Sequence, residues 1–387
     1  MSDVLELTRA LIRCNTVNPP GNEEACARLV ARELEAAGFA TSAYESGAGR
    51  PTIVAQLGGA RDVPALCFTG HLDTVPIGHE PWQYDPFAGE LADGRVYGRG
   101  ASDMKGGVAA LVIAARRLAQ LPLRPPLLLA LTAGEETGCE GAFHLVRTTR
   151  ALEGVGAILV AEPTANYPLL GHRGALWLEI RVPGQSAHGS TPERGVSAIG
   201  RAARGVVQLE GLRLDERRDA LLGTASLNVG TINGGTSPNI VADLVTLGLD
   251  VRTLPHQHSA DLVRRLAGAF ECEVEVRTLV DVPSVLTPPD DPWVRCVFDV
   301  MGPLLGERLL PRTASFFTDA SALRQGAVAA PAVILGPGDP DQAHRPNESC
   351  AVERLEQAVD AYVRIATAWM RAPHARDGGG LRTSAAC

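Results

Sequence analysis

No stretch of the 387-residue chain is apolar for long enough to span a bilayer, and no block of lysine and arginine marks a surface for nucleic acid or a membrane anchor. The formal net charge of −8 arises from acids and bases mixed along the whole chain, so the expected partner is a small molecule. The eight cysteines include no CxxC and no short-loop framework, which disfavours a disulfide scaffold and predicts reduced thiols in a cytoplasmic protein. The opening MSDVLELTRALIRCNTVNPP carries acids early and helical spacing through Val4, Leu5, Leu7, Leu11 and Ile12. A signal peptide would instead show a basic start followed by an apolar block. Three sequence signatures are also missing. GxxxxGK[ST] does not occur, and Gly98, Gly100 and Asp103 break GxGxxG at its third glycine, where an aspartate would repel phosphate. GxSxG fails around Ser102 because Met104 stands in its last position, so a nucleophile elbow is unsupported.

What is present suffices for two domains: the length exceeds one compact unit, and 45% of the residues are hydrophobic. An amphipathic helix is predicted over Glu23 to Ala37, stopping at Gly38. TIVAQL, ALCFTG, LLLALT and AILVAE then read as strands, with helices at Gly107 to Leu121 and Gly141 to Arg147 between them. This alternation predicts an α/β domain built on a helix-covered, mostly parallel sheet. Near Gly171 the pattern becomes strand, helix, two strands, helix, strand, which fits a smaller inserted α/β sandwich. The expected division is 1–172 with 286–373 as a discontinuous catalytic domain, 173–285 as the insert, and 374–387 as a disordered tail.

The chemistry gathers where predicted strands end. LTAGEETG sets Glu135 beside Glu136 after a buried run, and neighbouring carboxylates repel, so the pair needs cations, solvent or a task. In FTGHLDTVP, His71 and Asp73 share a face at i, i+2, which lets the aspartate orient the imidazole. Asp103 follows a glycine-rich turn in GRGASDMKGG, Glu162 follows a strand in LVAEPT, and DQAHRPNES supplies His344. Singly, each has an ordinary alternative, such as a solvated glutamate or a turn cap. Jointly, two histidines and several carboxylates on one sheet edge form a ligand set for two divalent ions.

In their order, GHLDTVP, GRGASDMKGG, TAGEETG, AEPT and AHRPNES resemble the zinc-dependent M20 family of metallopeptidases and amidohydrolases. The match falls particularly in the acetylornithine deacetylase and succinyl-diaminopimelate desuccinylase branch, and the resemblance covers nearly the whole chain. It implies a zinc-peptidase-like catalytic domain with an inserted lid that dimerises, and two zinc ions per subunit, with cobalt or manganese as substitutes. His71 and Glu162 would hold one ion, Glu136 and His344 the other, and Asp103 would bridge them while Asp73 supports His71. Glu135 would be the general base toward water, and the bond from Asp103 to Met104 a candidate cis peptide. In the lid, His188 would stabilise the oxyanion, and Asn239 with Arg252 would hold substrate, although Arg252 has Asp250 as an alternative partner. The implied reaction is hydrolysis of an N-acyl amino acid, with a metallo-dipeptidase or carboxypeptidase of the same family as the alternative and a non-catalytic metal-binding module as the remote one. Specificity is expected from Trp82 to Phe87, His172 to Trp177 and Phe316 to Asp319, with ordinary packing as the favoured alternative for Trp82 and Phe87.

Overall fold

A computed structural model describes residues 2–58, 64–121, 126–215, 217–327 and 330–372, and the backbone of 374–377 and 380–383. The chain divides into two compact units. One comprises Met1–Gly171, Leu286–Ala314 and Thr318–Cys387; the other comprises His172–Val285 and Ser315–Phe317.

The first unit is organised by a six-stranded sheet in the order Ala40–Glu45, Pro51–Leu57, Leu127–Thr132, Ala65–His71, Val155–Val160 and Ala332–Ile334. The last four strands run parallel, and the first two complete one edge antiparallel. Leu127–Thr132 is buried along its whole length, as a strand covered on both faces must be, and its sequence LLLALT is correspondingly apolar without alternation. The register sets His71 opposite Thr132 and Thr69 opposite Val160. The carboxyl ends of three neighbouring parallel strands therefore finish at one level, and the residues that follow them share a crevice.

Helix Lys105–Ala119 packs on strand Ala65–His71 and between helices Asp3–Arg13 and Val352–Arg371. Its sequence KGGVAALVIAARRLA is apolar nearly all round, and almost every residue is buried. Each fully buried leucine, valine or isoleucine there stabilises the fold by about 1.5–3 kcal/mol. The helix begins two residues earlier than the pattern suggests, because Lys105 and Gly106 belong to its first turn rather than to the loop. A Cβ on Gly107 would lie 2.2 Å from the carbonyl oxygen of Ala161, so only glycine lets the helix start approach the end of strand Val155–Val160.

The second unit is an antiparallel sheet ordered Ser226–Gly234, Leu244–Thr253, Gly174–Pro183 and Glu275–Val282. Strict alternation along Leu244–Thr253 turns Val245, Leu247, Leu249 and Val251 inward. They meet Ala202 and Leu209 of helix Ala198–Glu210 and Leu262 and Leu266 of helix Ser259–Ala267. Of the closing segment 374–387, expected to lack structure, His374–Asp377 pairs antiparallel with Gly380–Thr383, and the remainder lies outside the described residues.

Candidate metal and catalytic site

In the first unit, residues from five sequence segments converge at the carboxyl edge of the parallel strands. His71 closes its strand with Nε2 3.2 Å from Asp103 Oδ1 and 3.7 Å from Glu162 Oε1. Its Nδ1 lies 3.0 Å from the Asp73 carbonyl oxygen, which can only accept, so Nδ1 carries a proton and Nε2 is the ring nitrogen that faces the cluster. Asp103 faces both imidazoles: its Oδ2 is 3.3 Å from His344 Nε2, which is also 3.3 Å from Glu136 Oε2. The Asp103–Met104 peptide bond is cis.

Two sets of ligand atoms lie within 4.8 Å of one another, one from His71, Glu135 and Glu162 and one from His71, Asp103 and Glu136. Glu135 thus stands on the Glu162 side, whereas Glu136 turns toward His344. Glu135 is only 4% exposed. Glu135 Oε1 and Glu136 Oε1 are both buried without a hydrogen-bond partner. Buried carboxylate oxygens left in that state are costly, and divalent cations are the counter-charge that this donor set fits.

The electrostatics of the metal-free protein carry the same signature. Burial, followed by the charge of Glu162, pushes the Glu135 carboxyl well above its ordinary value. Burial likewise raises Glu162 far above the ordinary range despite the nearby His71. Burial would lower His71, but Glu162, Asp103 and Asp73 outweigh it and raise the imidazole well above 6.5. Hydrogen bonds to Asp103 and Glu136 lift His344 to about 10. For Asp103, burial is overcome by both histidines, and its carboxyl falls below the ordinary value.

Cation binding must therefore displace protons. Both imidazoles are raised, His344 to about 10, so uptake should release protons from them, and affinity should rise with pH. Calorimetry in buffers of different ionisation heat would test this; a binding heat independent of buffer would exclude it.

Asp73 does more than orient His71. Its Oδ1 accepts the Glu135 backbone N–H at 3.1 Å, and its Oδ2 accepts that of Glu136 at 3.3 Å. Asn18 Nδ2 donates to the same Oδ2 at 2.9 Å and to Thr137 Oγ1 at 3.0 Å. One buried carboxylate thus fixes the turn carrying the paired glutamates. Asn18 was not singled out in the sequence, where it stands in an NPPG turn with no local hint of a partner 55 residues away. Asp319 was named only as part of a specificity region, yet its buried carboxyl accepts from Thr132 Oγ1, and burial raises it to about 6.

His188, Asn239 and Arg252 belong to the second unit. His188 is exposed, with Nδ1 2.7 Å from Ser190 Oγ. Its neighbour Gly189 donates to the Asn239 carbonyl oxygen at 2.8 Å, so His188 and Asn239 occupy facing segments. Arg252 donates through Nε and Nη2 to Asp250 Oδ2 at 3.1 and 3.0 Å, which is the alternative its spacing left open. Trp177 and Phe317 meet edge-on at 6.1 Å. In the first unit Trp82 covers the Arg99 guanidinium, and Phe87 lines a small apolar pocket with Val17, Pro76 and Ile77.

A parallel-sheet edge presenting histidines and buried carboxylates defines a site of the kind that metal-dependent hydrolases use. The family model for peptidase family M20/M25/M40 matches residues 67–368, and the chain belongs to that family of metal-dependent hydrolases acting on amide bonds. A protein named acetylornithine deacetylase from Proteus mirabilis is 32% identical over 364 residues, covering 89% of this chain and 91% of its own length. Among solved structures, a tripeptidase from Staphylococcus aureus matches with a TM-score of 0.78 at 22% identity, over 95% of this chain and 98% of that one. An M20 family metallo-carboxypeptidase from Sulfolobus solfataricus matches at 0.77 and 18% identity, over 95% and 99%. The mixed α/β fold with its mostly parallel sheet, expected from the sequence, is the fold of these structures.

Proposed function

We propose that this chain removes the acyl group from an N-acyl amino acid, with Glu135 as the general base. The observation that carries this is Glu135 itself: a buried carboxyl with an unpartnered oxygen, held by its own backbone N–H on Asp73 beside the donor cluster. His71 and Glu162 would hold one cation, Glu136 and His344 a second, and Asp103 would span both. Zinc suits this mixed nitrogen and oxygen set. Cations bound there supply Lewis-acid polarisation of the scissile carbonyl and lower the pKa of water.

The chain's residues do the rest. Glu135 takes a proton from the attacking water and returns it to the departing amine. Asp73 keeps the His71 proton on Nδ1 and fixes the backbone from which Glu135 projects. His188 donates to the developing oxyanion, and Asn239 and Arg252 bind the substrate. His188→Ala should lower kcat by about tenfold or more while KM changes little. A change confined to KM would move His188 to a binding role.

The relatives named acetylornithine deacetylase support the N-acyl side over a dipeptidase. Amine release from acetyl, succinyl, formyl and long-chain acyl amino acids, with dipeptides alongside, tests this. Preference for dipeptides would reassign the chain to the peptidase alternative. We assign the second unit as a lid that dimerises, supported by its edge strand Ser226–Gly234, which is exposed along most of its length and free to pair. A cytoplasmic location is supported by the described cysteines, which are all free thiols.

A further inference from the structure

Glu348 is fully buried and accepts from four donors of one segment. Arg99 Nη1 lies 2.6 Å from it, and the backbone N–H groups of Gly100, Ser102 and Asp103 lie at 3.1, 2.8 and 2.9 Å. Arg99, 1% exposed, extends the same tie: its Nη1 also donates to the Arg345 carbonyl at 3.3 Å and its Nη2 to the Pro76 carbonyl at 3.0 Å. The Trp82 ring covers the guanidinium, its centroid 5.1 Å from Cζ. Ser102 Oγ donates to the Ser349 carbonyl at 2.9 Å and accepts from the Asp339 N–H at 3.0 Å. A Cβ on Gly338 would stand 2.1 Å from the Ser102 carbonyl oxygen, so the two segments pack backbone to backbone.

The segments joined in this way carry the two halves of one donor pair, Asp103 and His344. His344 has little else to fix it: its side chain is 54% exposed, and its backbone is left-handed at φ +63°. His71, by contrast, ends a paired sheet strand, and Glu162 follows one.

We infer that Glu348, with Arg99, is a positioning residue that sets the Asp103–His344 separation and thereby governs occupancy of the cation position on the His344 side. This rests on the cation-ligand assignment above. Glu348 touches neither substrate nor reacting atoms. Glutamine has the right shape but cannot replace it. At least one N–H donor would then face an NH₂ group, and the buried Arg99 would lose its counter-charge.

The test is titration of cobalt(II) into the metal-free protein, followed by visible absorption and calorimetry, for wild type, Glu348→Gln and Arg99→Lys. Arg99→Lys keeps the charge but not the fork, and it carries the test if Glu348→Gln fails to fold. Wild type should bind two ions. Each variant should bind one ion at near wild-type affinity and the second at least about tenfold more weakly. Hydrogen exchange across residues 99–104 of the metal-free protein should also rise in Glu348→Gln. Two ions at wild-type affinity in both variants, or equal weakening of both ions, would overturn the inference. Fewer than two ions in wild type would overturn the ligand assignment instead. The exchange measurement needs no ion, and unchanged protection would then reject any ordering role for Glu348.

Discussion

Glu135→Gln should retain two cations per chain and lose turnover by roughly 10²- to 10⁴-fold. Glu135 and Glu136 are adjacent, yet their surroundings give them different tasks. Glu136 has a cationic partner in His344 at 3.3 Å, whereas Glu135 Oε1 has no partner and its carboxyl titrates far above the ordinary range through burial. A carboxyl raised by burial is a stronger base than a solvated one, which favours its taking a proton from water. Glutamine preserves the volume and leaves the backbone N–H on Asp73, so the fold and the other donors stay in place. Metal analysis after dialysis, paired with turnover, checks this. Parallel loss of ions and activity would show Glu135 to be a ligand, which its membership of a close donor group with His71 and Glu162 makes a fair contest.

Asp103→Ala should behave oppositely, binding less than one ion per chain and losing turnover to background. Asp103 alone among the carboxylates offers one oxygen to each imidazole, 3.2 Å from His71 and 3.3 Å from His344. Without it, two imidazoles that it helps to raise lose that partner, and each cation position is reduced to the ligands of one side. Far-ultraviolet circular dichroism separates loss of ions from loss of fold. Two ions bound to a folded variant would remove Asp103 from the bridging role.

The strand ends were legible in the sequence because local pattern reports burial directly. LLLALT and AILVAE are apolar over several residues and then stop at acids, and a parallel sheet brings such stops to one edge. His71, Glu135, Glu136 and Glu162 follow from that pattern, and Asp103 and His344 from the motifs around them. What stayed hidden depends on partners remote along the chain. Glu348 bonds to the Ser102 N–H across 246 residues and Asn18 to Asp73 across 55, and no periodicity encodes such pairings. The early start of helix Lys105–Ala119 was obscured for a related reason. Lys105 and Gly106 look like loop residues, and the need for Gly107 shows only when the carbonyl of Ala161 is seen to occupy the space its side chain would need. Arg252 shows the limit from the other side, since its i−2 aspartate was visible and the structure pairs the two.

That glycine contact bears on which ion the site tolerates. Asp103 precedes the helix by two residues, and Glu162 follows Ala161, so the span between the two donors is fixed where two main chains touch. Main-chain contacts have no alternative rotamers to relax into, unlike the flexible carboxylate side chains they position. The cluster therefore behaves as a gauge of fixed width, and ions whose preferred ligand distances differ must strain side chains rather than spread the frame.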